Sequence, residues 1–174
     1  SDPATCYRIG GDQAAMVVTT LDDVMNTNVT FTVRELSDTV PIVASATADQ
    51  NRAALELAGV THILRLEEMM GQALARRVIG NDAEAHVIGD LDGLIIAEAS
   101  TAKTALVGKT IAESELRAKT GVTVVGIWAR GQFEPVDPTT KIGMRSVLVL
   151  AGDKSHFDRY NELFGQHIES SERS

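Results

Sequence analysis

"VVTTLDDVMNTNVTFTVREL", Val17 to Leu36, is the stretch whose reading decides the fold. It enters on an apolar run that begins at Ala14 ("AAMVVT", 14–19). The run is short and apolar enough for a strand buried on both faces. A helix start follows. Asp22 or Asp23 can accept bonds from free backbone N–H groups there and complement the positive end of the helix dipole. Met25, Val29 and Val33 recur at i, i+4 and i+8, with Leu36 three further on, which predicts one inward stripe. The β-branched run "NVTFTV" opposes helix and keeps a strand reading open. Ligands of open α/β sheets bind outside the carboxyl ends of the strands. Thr19, Thr20 and Asp22 stand at such an end, as a ligand edge or simply as a helix cap.

Outward from this stretch the pattern repeats. "TVPIVASA" (39–46) reads as a second buried strand and "DQNRAALELAG" (49–59) as a helix, with Asp49 as its cap. Ala53, Leu55, Leu57 and Ala58 supply its apolar surface, and Gly59 suits the position just past its end. "THILRL" (61–66) is a third strand. "EEMMGQALARRVIG" (67–80) is a second helix, opened by acids, with Arg76 and Arg77 near its close and Gly80 after it. Strands alternating with helices predict parallel pairing through right-handed crossovers.

The texture changes after Gly80. "NDAEAHVIGDLDG" (81–93) reads as a polar linker. "GLIIAEA" (93–99), "VTVVGIWA" (122–129) and "SVLVLAG" (146–152) read as strands. "VGKTIAESELRAKTG" (107–121) reads as one helix with Ile111 and Leu116 inward, and "RGQFEPVDPTTKIGMR" (130–145) as a turn-rich connection. "KSHFDRYNELFG" (154–165) is a closing helix with Phe157, Tyr160, Leu163 and Phe164 on one side. The order predicts a small α+β sandwich with helices on one face, and residues 166–174 read as a loose tail. The fold class is therefore α/β: a partial Rossmann-like parallel sheet in residues 1–80, a linker in 81–92, and a small α+β C-lobe in 93–165.

Composition bounds the function. The 174 residues carry a formal net charge of −8, which argues against nucleic acid or an anionic membrane as the main partner. Cys6 is the only cysteine, so no internal disulfide can form, and a reducing compartment is the natural setting. The start, "SDPATCYRIGG", has no initiator Met and no strand or helix signal, and it reads as the beginning of a piece of a longer protein. None of the four histidines pairs with a second His or a Cys at metal-ligand spacing, so no histidine metal site is expected. Asp82, Glu84, Asp90 and Asp92 could offer oxygens to a hard cation, but a solvated linker is the favoured reading. No nucleophile stands beside an evident base, and the sequence reads as a non-enzyme.

These strings resemble the regulator-of-potassium-conductance (RCK), or TrkA-type, domain. The resemblance rests on Thr20, Asp22, Asp23 and Asn26 with Arg34 and Leu36, on Ala58–Ile63, and on "GQALAR" (71–76). In the C-lobe it rests on Leu106, Gly108, Lys109, Thr110, Ile111 and Glu113, on "VTVVGIWAR" to Arg130, and on Pro135, Thr139, Thr140, Ile142 and 147–152. Met144, Arg145 and Ser146 replace the usual Gly-Asp turn, and Ser45 replaces a basic residue.

The resemblance implies the second half of an N-lobe followed by a C-lobe. It implies a cytoplasmic, ligand-sensing module at the inner face of the membrane. The module would act allosterically on a potassium channel or uptake system, fused or separate, as a homodimer or ring. A nucleotide edge would comprise Thr19, Thr20, Asp22 and Asn26. A C-lobe ligand or dimer edge would comprise Trp128, Arg130, Phe133 and Pro135. The helix at 67–80, through Met70, Ala73, Leu74 and Val78, would join subunits and couple lobes. NAD or ATP/ADP is the cofactor implied for a complete lobe. The sequence holds no G-x-G-x-x-G, the loop that lets backbone N–H groups hold a pyrophosphate, so this chain alone is expected to bind no dinucleotide. The alternatives are a regulatory domain of a cation–proton antiporter and a piece of a nicotinamide-dependent oxidoreductase. The C-lobe offers no His, Lys or Tyr in a clear catalytic role for the latter.

Overall fold

The computed structural model describes residues 5–9, 14–20, 22–46, 49–76 and 84–165. Two compact units emerge: Ser1–Ala75 with Leu91–Leu94, and Arg76–Asp90 with Ile95–Ser174.

The first unit holds β1 (Thr5–Ile9), β2 (Ala14–Thr19), α1 (Asp23–Leu36), β3 (Ile42–Ser45), α2 (Asp49–Ala58), β4 (His62–Leu64) and α3 (Leu66–Arg76). The four strands form one sheet in chain order. The pairs β2–β3 and β3–β4 are parallel, as the alternation with helices requires. Ile42, Val43 and Ala44 are completely buried, which a strand covered on both faces must be. The strand β1 is a correction to the sequence reading, which found no strand signal there. It runs antiparallel to β2, with Thr5 opposite Val18 and Ile9 opposite Ala14. Its Thr, Tyr and Ile favour strand, and pairing with the open edge of β2 completes it.

The helix reading of 23–36 holds, but the predicted stripe does not. Asp23, Asn26 and Thr30 are the buried positions, whereas Met25 is exposed and Leu36 is 83% exposed. Val29 and Val33 are only half-buried. The inward face is polar, so apolar spacing pointed to the wrong side. Helix α2 ends as expected: Gly59 has φ +100, and the Val60 and Gly59 amides close back on the carbonyls of Leu55 and Glu56. Leu55 and Ala58 are its buried residues, while Leu57 is exposed.

Apart from the strand ends Leu91 and Leu94, the second unit holds β5 (His86–Leu91), β6 (Leu94–Ser100), α4 (Ile111–Ser114), α5 (Leu116–Thr120), β7 (Thr123–Ala129), β8 (Gln132–Glu134), β9 (Val147–Gly152) and α6 (Lys154–Phe164). Its strand order is β5-β6-β9-β7-β8. One sheet face, with Ala97, Ala99, Val124, Ile127, Leu148 and Leu150, packs on Leu116, Phe157 and Tyr160 of the helices.

Three sequence readings are corrected in this unit. The segment taken as linker contains β5. Its hairpin with β6 turns through Asp92 (φ 52) and Gly93 (φ 94), a two-residue turn that needs left-handed backbone at both positions. The single helix of 107–121 is two short helices, broken at Glu115, which adopts φ 50. The turn-rich connection contains β8, joined to β7 through Arg130 (φ 53) and Gly131 (φ 75). On α6, Phe157 and Tyr160 are buried as expected, whereas Leu163 is 56% exposed. Of the predicted helix 67–80, residues 77–80 lie outside the described residues, as does the 166–174 tail.

Helix α6 opens on a capping box. The Asp153 carboxylate accepts from the His156 amide, and the Asp153 amide donates to His156 Nδ1. Burial works to raise the Asp153 pKa, but hydrogen bonds from Ser155 and the His156 amide and the nearby imidazole outweigh it and hold the pKa below the ordinary 3.8. A folded-state pKa below the unfolded one gives stability that is present above the unfolded pKa and lost as pH falls through the folded value. Asp153→Ala is therefore expected to cost about 1 kcal/mol at neutral pH. The gap between variant and parent should close below pH 3.8, read by urea denaturation across pH. A gap unchanged by acid would show that the carboxylate's charge does not contribute.

Candidate functional site: two ligand edges

The first edge lies at the carboxyl ends of β2 and β3, and Asn26 organises it. Its carboxamide is completely buried. Thr19 Oγ1 donates to Asn26 Oδ1 at 2.7 Å, and Asn26 Nδ2 donates to the Ser45 carbonyl at 2.7 Å and to Ser45 Oγ at 3.2 Å. One side chain on α1 thus joins the ends of two parallel strands. Beside it, Asn51 of α2 donates to the Asp23 carboxylate at 2.5 Å. Asp22 is exposed and caps α1, accepting from the Met25 amide at 2.9 Å. Thr20 is half-buried.

The four sequence-named residues therefore sit together but differ in role. Thr19 and Asn26 are committed to the internal network. Thr20 and Asp22 face outward enough to meet a ligand. Sequence reasoning missed Ser45 and Asn51 as members of this network. The only signal for Ser45 was its departure from the family pattern, and nothing marked Asn51.

A cleft of about 160 Å³ opens near the ends of β3 and β4, lined by Ala46, Asp49, Arg52, Ile63, Arg65, Glu67 and Glu68. It contains none of the sequence-named residues. Small-molecule sites usually occupy roughly 300–1,000 Å³. The cleft's cations are also engaged: Arg65 bridges Asp49 at 2.6 Å and Glu68 at 3.1 Å, and Arg52 pairs with Glu56 at 2.9 Å. Its size and its internal pairing both argue against a dinucleotide.

The second edge is the β7–β8 hairpin. Trp128 and Phe133 stand directly opposite each other, and Ala129 opposes Gln132. The Phe133 ring lies over Gly126, where an added Cβ would come within 2.1 Å of Cζ. Trp128 and Phe133 are half-buried, and Arg130, at the turn, is exposed, as is Pro135. The hairpin therefore presents two aromatic rings and a guanidinium on one short element.

On the proposed coupling helix, Met70 is completely buried, and Ala73 and Leu74 are half-buried; Val78 lies outside the described residues. Among the described residues no group of His, Cys, Asp or Glu is arranged to hold a metal ion, and Asp82 lies outside them. No described helix is long and apolar enough to cross a membrane.

Residues 96–165 match the TrkA-C domain family. The chain is 27% identical over 128 residues to the Ktr system potassium uptake protein C of Bacillus subtilis (strain 168), covering 70% of this chain and 54% of that protein. The GsuK channel is 34% identical, over 87% of this chain and 28% of the channel, with a TM-score of 0.49. The RCK_C domain dimer of S. agalactiae BusR in complex with c-di-AMP is 26% identical, over 38% of this chain and 91% of that one, with a TM-score of 0.36. The chain thus spans about half the length of the curated relative and under a third of the channel. Residues 96–165 thus match the TrkA-C domain, and the chain is similar in sequence to a potassium uptake protein and to a potassium channel.

Proposed function

We propose that the chain is a ligand-sensing regulatory domain of a potassium transport system. It would be cytoplasmic, apposed to the inner face of the membrane, and would act on a potassium-conducting pore, fused or separate. The observation that carries this reading is the TrkA-C match at residues 96–165 in a chain related to a potassium uptake protein. A ligand that prefers one arrangement of the two lobes shifts the population toward it, and an attached pore follows. The chain works as a homodimer or ring, with α3 as the coupling element. Met70 anchors that helix in its own lobe, while the half-buried Ala73 and Leu74 are left for the partner.

Ligand binding is assigned to the β7–β8 edge. Arg130 would pair with an anionic group and Trp128 and Phe133 would stack on a planar one. The edge at Thr20 and Asp22 would serve a nucleotide such as NAD or ATP only in a lobe completed by a glycine-rich loop.

Trp128 is the only tryptophan, so its fluorescence reports on the second edge alone. The expected results are a solution mass of at least twice 18.6 kDa and a change in Trp128 emission with one of NAD, ATP or cyclic diadenosine monophosphate. Arg130→Ala should abolish that change. A monomeric mass would overturn the assembly. Emission indifferent to all three nucleotides would remove the ligand role of the hairpin.

A further inference from the structure

The first unit places something unexpected at the edge of its parallel sheet. In a doubly wound sheet with strand order 3-2-1-4-5-6, the strand carrying the glycine-rich loop lies beside the fourth, and the ligand sits where the order reverses. Three consecutive parallel strands, β2, β3 and β4, match positions four to six of that order. The free edge of β2 is then the place of the glycine-loop strand. That place is taken by β1, running in the opposite direction and paired along its whole length: Thr5 with Val18, Cys6 with Val17, Tyr7 with Met16, Arg8 with Ala15, Ile9 with Ala14.

We infer that β1 is an intrachain plug for this edge. Antiparallel β1 and a parallel glycine-loop strand are mutually exclusive partners of β2, because each would use the same backbone N–H and C=O groups. With β1 in place the sheet is closed at that edge, and no loop can bring backbone donors to a pyrophosphate beside Thr20 and Asp22. Any segment supplying such a loop has to displace five residue pairs first. Nucleotide binding at the β2 end and β1 pairing are thus the two states of one edge. The inference rests on reading residues 14–76 as the second half of a Rossmann-like lobe.

The register supplies a direct test, since the native Cys6 lies opposite Val17. Opposed residues of antiparallel strands have Cα atoms about 4.5–5.5 Å apart, within the range a disulfide spans. In the full chain, Val17→Cys treated with diamide should give an intramolecular disulfide, seen as loss of both free thiols at monomeric mass on a non-reducing gel. Val18→Cys, one residue along and on the opposite face, should react at least tenfold more slowly. By calorimetry the oxidised Val17→Cys chain should show no NAD or ATP binding that depends on Asp22 at the β2 end. Equal cross-linking of the two variants, or none of Val17→Cys, would overturn the plug. Nucleotide binding by the locked chain that Asp22→Ala abolishes would overturn its exclusivity. Failure of the family reading would show elsewhere, as a monomeric mass with the cross-link intact.

Discussion

Asn26→Leu is expected to destabilise the first unit by about 3 kcal/mol. The carboxamide is completely buried and satisfies three groups at once: the Thr19 hydroxyl, the Ser45 carbonyl and the Ser45 hydroxyl. A leucine fills similar space but removes the Asn26 hydrogen bonds to those groups where water does not replace them. Each buried polar group so stranded costs about 1–3 kcal/mol. Asn26→Asp should be worse at neutral pH, since it removes the donor to Ser45 and buries a charge. Acidification that protonates the new carboxyl should recover part of the loss. Removing the stranded partners should recover some as well, so Thr19→Val with Asn26→Leu should cost less than the sum of the two single changes. The measurement is urea denaturation followed by far-ultraviolet circular dichroism, with Trp128 emission reporting the second unit separately. A change under about 0.5 kcal/mol in Asn26→Leu would mean that the network does not hold the strand ends together.

That network also shows how far the sequence could be read. The parallel strands were legible, because "AAMVVT" and "TVPIVASA" are apolar throughout and a strand buried on both faces must be. The end of α2 was legible, because a left-handed residue past a helix end is usually glycine, and Gly59 is one. The inward face of α1 was not. Hydrophobic periodicity finds buried faces that are apolar, and this one is Asp23, Asn26 and Thr30. The partners that make a buried Asn tolerable, Thr19 and Ser45, lie 7 and 19 residues away, and only the fold brings them to it.

The missed strands failed for a related reason. Residues 5–9, 86–91 and 132–134 are outer strands of their sheets, where pairing with a neighbour rather than a buried apolar run defines the strand. The sequence groups Trp128 and Phe133 in one edge but does not pair them. Their direct opposition depended on recognising the Arg130–Gly131 turn, and arginine is a poor advertisement for a left-handed position. The sequence reads Asp22 as either a cap or a ligand contact. The cap is present, and only one of its carboxylate oxygens is used for it.

Arg34 carries the second large effect. Its guanidinium donates to the carbonyls of Gly59 (2.9 Å), Ser37 (3.1 Å) and Val40 (2.8 Å), and its Nη2 lies 3.5 Å from Thr61 Oγ1. One side chain thus ties together the end of α1, the lead into β3 and the end of α2. Arg34→Ala should cost about 3 kcal/mol by releasing three carbonyls that a charged donor had satisfied. Arg34→Lys should recover less than half of that. A lysine ammonium keeps the charge but lacks the planar fork that reaches all three carbonyls from one position.

The stem of Arg34 adds a coupling that a purely electrostatic role would not produce. A Cβ built on Gly59 would stand 3.0 Å from Arg34 Nε and 3.2 Å from its Cγ. Gly59→Ala therefore meets two penalties, the left-handed φ of +100 and the crowding against Arg34. Only the second disappears when Arg34 is already alanine. The double variant should accordingly be more stable than the sum of the single losses predicts, by about 1 kcal/mol in the mutant cycle. Strict additivity would show that Arg34 yields freely to a new methyl group and holds Gly59 by its hydrogen bond alone.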